Sequence, residues 1–111
     1  MLNSQEKFIL KSKLLGALEW LEYYQELRYT LSNQDTRPCT KETAQAEYKL
    51  WWTTFTTLDS LVSSLCPKGQ EAYQWLGLTE EDKAAAIAKA HKAIDWYKEE
   101  DSEEDSEEIP F

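Results

Sequence analysis

Between Ala44 and Leu65, apolar side chains return in steps of four and three without interruption: Ala44, Tyr48, Trp51, Phe55, Leu58, Val62 and Leu65. Residues spaced this way share one face of a helix, whereas a half-buried strand needs alternation at every second position, which is absent from Trp51 to Leu58. The β-branched Thr53, Thr54, Thr56 and Thr57 suit a strand by propensity, but an unbroken seven-member seam outweighs propensity. Trp52 and Leu61 lie beside the seam and either widen it or remain available to another chain. A helix cannot bury its own seam, so the rest of the chain must supply the opposing surface.

Residues 4 to about 32 read as that second long helix. Leu14, Ala17, Leu21, Tyr24 and Leu31 follow alternating steps of three and four, with Arg28 in the one polar slot and Leu10 four residues ahead. Leu18, Trp20, Tyr23 and Leu27 widen the stripe, so this helix is expected to touch more than one neighbour. Asn3, with Glu6 three residues on, forms a plausible N-terminal cap. Gly16 costs about 1 kcal/mol relative to Ala in a helix interior and implies a close helix crossing or a bend.

The punctuation between the helices is equally readable. Ser32 to Pro38 is a polar connection that Pro38 stops from being helical, Thr40 can cap the second helix, and Cys66-Pro67-Lys68-Gly69 ends it. Gln70 to Leu76 suits a short helical turn presenting Tyr73, Trp75 and Leu76, closed by Gly77. Thr79-Glu80-Glu81-Asp82 resembles a capping box, with Leu78 placed as a staple. Ala84 to Lys98 then continues as an alanine-rich helix with Ile87, His91 and Ile94 near one face, its small residues suited to close packing on both long helices. The expected fold is all-α: two long antiparallel helices plus a shorter C-terminal helix, residues 1–98 forming the helical domain and 99–111 a disordered acidic tail.

Charge is distributed unevenly. The net charge is −9, but eight of the 21 acidic residues lie beyond Lys98, leaving 13 against 12 bases in the body. A body so nearly neutral argues against DNA mimicry over its whole surface and against a basic nucleic-acid-binding face. Lys7, Lys11 and Lys13 form the only notable basic cluster, and it suits a solvated helix face. A helix-turn-helix reading of Tyr73 to Lys98 is disfavoured because the recognition helix would be alanine-rich and flanked by acids. Five Trp, six Tyr and three Phe demand either an aromatic core or an aromatic interface.

Catalytic signatures are lacking at the level of sequence. His91 suits a partly buried structural histidine, Asp59 and Glu71 stand isolated, and no Ser or Cys motif accompanies them. Cys39 and Cys66 lack metal-site spacing and are expected to be reduced thiols. The expectation is a non-enzymatic protein with no metal and no cofactor. The apolar stretch Phe8 to Leu18 is broken by Lys11 and Lys13, so it reads as an amphipathic helix and not as a signal peptide or membrane span, consistent with a cytoplasmic protein.

The tail carries the most specific signal. After Glu99-Glu100-Asp101-Ser102-Glu103-Glu104-Asp105-Ser106-Glu107-Glu108 come three apolar residues, Ile109-Pro110-Phe111. Phe111 offers a ring beside its α-carboxylate, which a pocket with apolar walls and one cation could hold together. Pro110 fixes its own φ and biases Ile109 toward extended backbone, lowering the entropy lost on docking. This ending resembles the C-terminal tail of bacterial single-stranded-DNA-binding proteins, which typically reads Asp-Asp-Asp-Ile-Pro-Phe. Ile109, Pro110 and Phe111 match in identity and Asp105, Glu107 and Glu108 match in charge. Glu next to the tip, and Ser102 and Ser106 within the run, depart from the pattern and should weaken the fit modestly. The resemblance covers about a tenth of the chain. It implies docking on repair and replication proteins that hold such tails: a helicase, exonuclease, recombination mediator or polymerase accessory subunit.

The body does not resemble that family's strand-binding domain, since it has neither strand pattern nor excess of bases. The expected function is a tail mimic that competes for or recruits such partners, as a phage or plasmid accessory protein could. The alternatives are an acidic DNA-mimic or anti-nuclease protein acting by charge, and a structural helical dimer with a solubilising tail. Surplus aromatic and leucine surface on the long helices favours a homodimer in any of these cases.

Overall fold

The computed structural model describes the backbone of residues 2–105 and the side chains of residues 2–95, and the described chain forms helices without strands. They are α1 (Ser4–Thr30), α2 (Lys41–Leu65), α3 (Ala72–Leu76) and α4 (Glu80–Asp105). The caps account for where they begin. Asn3 and Glu6 exchange bonds, the Glu6 N–H donating to Asn3 Oδ1 at 2.8 Å and the Asn3 N–H to Glu6 Oε1 at 2.9 Å. Thr40 Oγ1 accepts from the Thr43 N–H at 3.1 Å, and Glu71 Oε2 from the Gln74 N–H at 2.8 Å. At α4 the Thr79 N–H donates to Asp82 Oδ2 and the Asp82 N–H to Thr79 Oγ1, both at 3.0 Å, which is the expected reciprocal box. Gly77, at φ 84°, closes α3 in the left-handed region while its N–H and that of Leu78 reach back to the Tyr73 carbonyl.

Helix α1 is the common partner; of the α2 stripe Ala44 and Val62 are buried, Tyr48, Trp51, Phe55 and Leu58 half-buried, and Leu65 remains exposed. Leu10 and Leu14 of α1 pack with Val62 near the end of α2, while Leu27 and Leu31 meet Ala44 near its start, so the two run antiparallel. Helix α4 runs parallel to α1: Lys11 pairs with Asp82 at 3.1 Å, Glu19 with Lys89 at 3.8 Å, and Leu27 clusters with Ile94. Its buried face is Ala86, Ala90 and Ile94. The expectation that α4 lies against both long helices is not met, since among the described residues α2 and α4 nowhere approach within 8 Å between Cα atoms. The alanines let α4 come close to α1 but give it no reach toward α2. The result is a layer with α1 in the middle, α2 and α4 on either side, and α3 closing one end with Leu76 and Leu78 in the Leu10–Val62 cluster.

Two further differences concern local expectations. Gly16 marks neither a close crossing nor a tight approach, because a Cβ built there would meet nothing within 4 Å. The last helix, expected to end near Lys98, continues in its backbone to Asp105, since the run from Lys98 contains no Gly or Pro to stop it. Residues 106–111 lie outside the described residues.

Two substitutions test this packing by chemical denaturation. Gly16→Ala should stabilise the fold by about 1 kcal/mol, since the new methyl is unopposed and the helix gains propensity. Leu14→Ala, at a side chain only 1 % exposed, should cost about 3 kcal/mol.

Candidate functional site

The residues singled out by sequence belong to the end of α4 and to the last six positions of the chain. Asp105 is the final residue of that helix, and Glu107, Glu108, Ile109, Pro110 and Phe111 lie outside the described residues. Among the described side chains, Ile94 is the last residue of α4 in the core cluster. Eleven residues separate it from Asp105, so at 1.5 Å per residue the helix backbone carries the chain about 16 Å beyond that contact.

On the body, the structure assembles three groupings that sequence spacing did not reveal. The first is aromatic. Trp20 stacks on Trp51 across α1 and α2 with centroids 6.0 Å apart and planes 18° from parallel, and on Tyr24 at 5.8 Å, while Tyr23 meets both Trp20 and Tyr24 edge-on. Beside this cluster, Arg28 lies over the rings of Tyr48 at 3.9 Å and Tyr29 at 4.6 Å. The one polar slot in the α1 stripe is therefore filled by a cation on aromatic faces. Its Nε is buried without a hydrogen-bond partner among the described residues.

The second grouping closes the opposite end. The Tyr73 hydroxyl donates to Asp59 Oδ1, Lys7 lies 4.9 Å from the Trp75 ring centroid, and Lys83 lies 5.1 Å from that of Tyr73. Asp59 and Glu71, isolated in sequence, are thus a hydrogen-bond acceptor for α3 and the α3 cap. Burial, then the bond to Asp59 and its charge, raise the Tyr73 phenol above its ordinary range. Burial also raises Tyr23, Tyr24 and Cys39, with the charge of Cys39 adding to Tyr23 and that of Glu47 to Tyr24 and Cys39. The backbone N–H of Thr79, then Lys11, hold the Asp82 carboxyl below its usual range.

The third lies between α1 and α4, where Glu22, Glu26 and His91 bring their ligand atoms within 4.8 Å of one another. Glu22 Oε2 is 3.0 Å from His91 Nε2, an interhelical pair that holds the partly exposed imidazole at the surface. The sequence leads to the expectation of a partly buried, hydrogen-bonded histidine; the bond to Glu22 is present, but the His91 side chain is 48 % exposed, on the rim of the α1–α4 contact instead of inside it. Its neighbours in the chain gave no sign of the partner, which sits 69 residues away. Near it, small side chains leave an open groove of about 380 Å³ lined by Ser12, Leu15, Gly16, Glu19, Ala85 and Lys89.

Both cysteines are free. No helix among the described residues is long and apolar enough to cross a membrane. No protein-family model matches the chain, and neither a curated protein nor a solved structure does.

The raised phenols set an alkaline limit on stability. A phenol with its folded pKa above the unfolded value stabilises the fold fully below about pH 10, and that contribution is lost as pH rises through the folded value. Stability measured by denaturant titration should therefore fall above about pH 10. Tyr73→Phe should cost about 1 kcal/mol at neutral pH through the lost hydrogen bond and make the alkaline decline shallower.

Proposed function

We propose that the protein is a non-enzymatic, cytoplasmic interaction protein whose C-terminal tip docks on DNA repair and replication proteins by occupying the pocket that holds the tail of single-stranded-DNA-binding protein. The observation that carries this reading is the ending Ile109-Pro110-Phe111 behind an acidic run, on a body whose own charge is nearly balanced. A basic partner surface would attract the acidic run and speed encounter in a salt-dependent way. Ile109 and Phe111 would supply the apolar contacts, Pro110 the extended shape, and Asp105, Glu107 and Glu108 the charge. Competition with the host tail and recruitment of its partners use the same contact.

Mutations separate recognition by the tip from attraction by charge. Phe111→Ala should weaken binding by about 2 to 3 kcal/mol with net charge unchanged. For a complex of roughly micromolar strength, that loss removes it from an ordinary pull-down. A C-terminal extension should do the same, because it converts the Phe111 carboxylate into a peptide bond, whereas an N-terminal tag ahead of Asn3 should be tolerated. The measurement is capture of helicases, nucleases or polymerase accessory subunits from a bacterial lysate by free-ended and extended baits. Equal capture by both, or full binding by Phe111→Ala with loss only on neutralising Glu103 to Glu108, would replace tip recognition with a charge mechanism.

A further inference from the structure

The outer flank of α2 is not built as a solvent face. From Leu50 to Leu65 the helix contains one charged residue, Asp59, and its carboxylate is engaged by Tyr73 of the segment after α2. On the other flank, Leu50, Thr54, Thr57 and Leu61 fall within about 60° of arc at 100° per residue, roughly 100° from the buried seam of Ala44 and Val62. Leu50 is 65 % exposed and Leu61 44 %, with Leu65 at the edge of the stripe 42 % exposed. Both threonines are exposed, but the Thr54 hydroxyl is turned back to donate to the Leu50 carbonyl at 3.0 Å, so its own helix satisfies it without water. Trp20, stacked on Trp51 and 45 % exposed, continues the apolar surface onto α1.

We infer that this flank is the interface between two copies of the chain, packed α2 against α2 in antiparallel fashion. The order Leu50-x-x-x-Thr54-x-x-Thr57-x-x-x-Leu61 reads the same in both directions. A twofold axis between Thr54 and Thr57 therefore sets Leu50 against Leu61 of the second copy and Thr54 against its Thr57, which is the self-complementarity an isologous interface requires. Small threonines at the crossing point let the helices approach, and leucines fill both ends. Glu47, the nearest acid at the start of the stripe, comes opposite Ser64 of the second copy, so no like charges meet. The exposed apolar surface of Leu50, Leu61, Leu65 and Trp20 is on the order of 400 Å² per copy, about half of the ~800 Å² that each partner contributes to a standard interface. The threonines, serines and neighbouring stems supply a rim of similar size. This surface is separate from the tip, and two copies would present two tails to a partner or an array of partners.

Sedimentation of the full chain tests the inference without any binding partner. Across roughly 1 to 100 μM the protein should pass from monomer to a species of twice 13.0 kDa. Leu50→Glu combined with Leu61→Glu, and separately Thr54→Arg at the crossing point, should raise the dissociation constant by roughly 100-fold or more. Both variants should retain wild-type helicity by circular dichroism, since these side chains are already exposed in the monomer. Tyr29→Glu, at a side chain outside this flank and 73 % exposed, should leave the dimer intact. A wild-type chain that stays monomeric throughout overturns the inference, as does a dimer that persists in folded Leu50→Glu/Leu61→Glu or Thr54→Arg protein. Because none of these measurements involves Ile109 to Phe111, they can fail while tip docking holds, and the reverse.

Discussion

The fold depends on one helix being buried from two sides. Helix α1 carries apolar side chains around more than one seam, so it accepts α2 through Leu10, Leu14 and Leu27 and still meets α4 where Leu27 clusters with Ile94. Neither α2 nor α4 has a comparable second face in use. Removing packing from α1 therefore loosens both contacts, whereas a loss on α4 is confined to one. Leu14 and Leu27, at 1 % and 0 % exposure, are where that dependence is greatest.

Polar groups fix how the layers meet without contributing much burial. At one end, Lys11 joins Asp82 as that carboxylate caps α4, so one side chain sets both the start of α4 and its register on α1. Tyr73 and Asp59 hold α3 over the end of α2 in the same way. At the other end, Arg28 spans Tyr29 and Tyr48, where a cation can rest on aromatic faces in a partly dry setting. Exposed ion pairs such as Glu19–Lys89 contribute at most about 1 kcal/mol each, so they refine an alignment that the leucines and alanines establish.

The two regions of unusual composition answer opposite constraints. The acidic run lacks apolar residues and bases, a composition that makes burial unfavourable and a basic partner favourable. The flank of α2 between Leu50 and Leu65 lacks charge, which makes exposure to water unfavourable and a close apolar contact favourable. One chain thus combines a segment suited to distant electrostatic attraction with a surface suited to close packing.

Helix number, helix starts and caps were written locally, whereas the end of α4 was not. The four-and-three seam of α2, the Asn3–Glu6 and Thr79–Asp82 boxes and the Gly77 stop depend on residues within one or two turns, so the chain declares them before it folds. The acidic run and its Ile109-Pro110-Phe111 ending are likewise properties of sequence alone. What sequence left open is whatever depends on distance along the chain. That Gly16 faces open space, that Glu22 meets His91, that Asp59 accepts from Tyr73 and that the described backbone of α4 lies close to α1 but not to α2 are decided by which faces meet. Periodicity marks an apolar face without naming its partner, and only the tertiary arrangement determines that the Trp51 side of α2 is covered while Leu50 and Leu61 are left bare, because α1 is wide enough to cover the seam and no more.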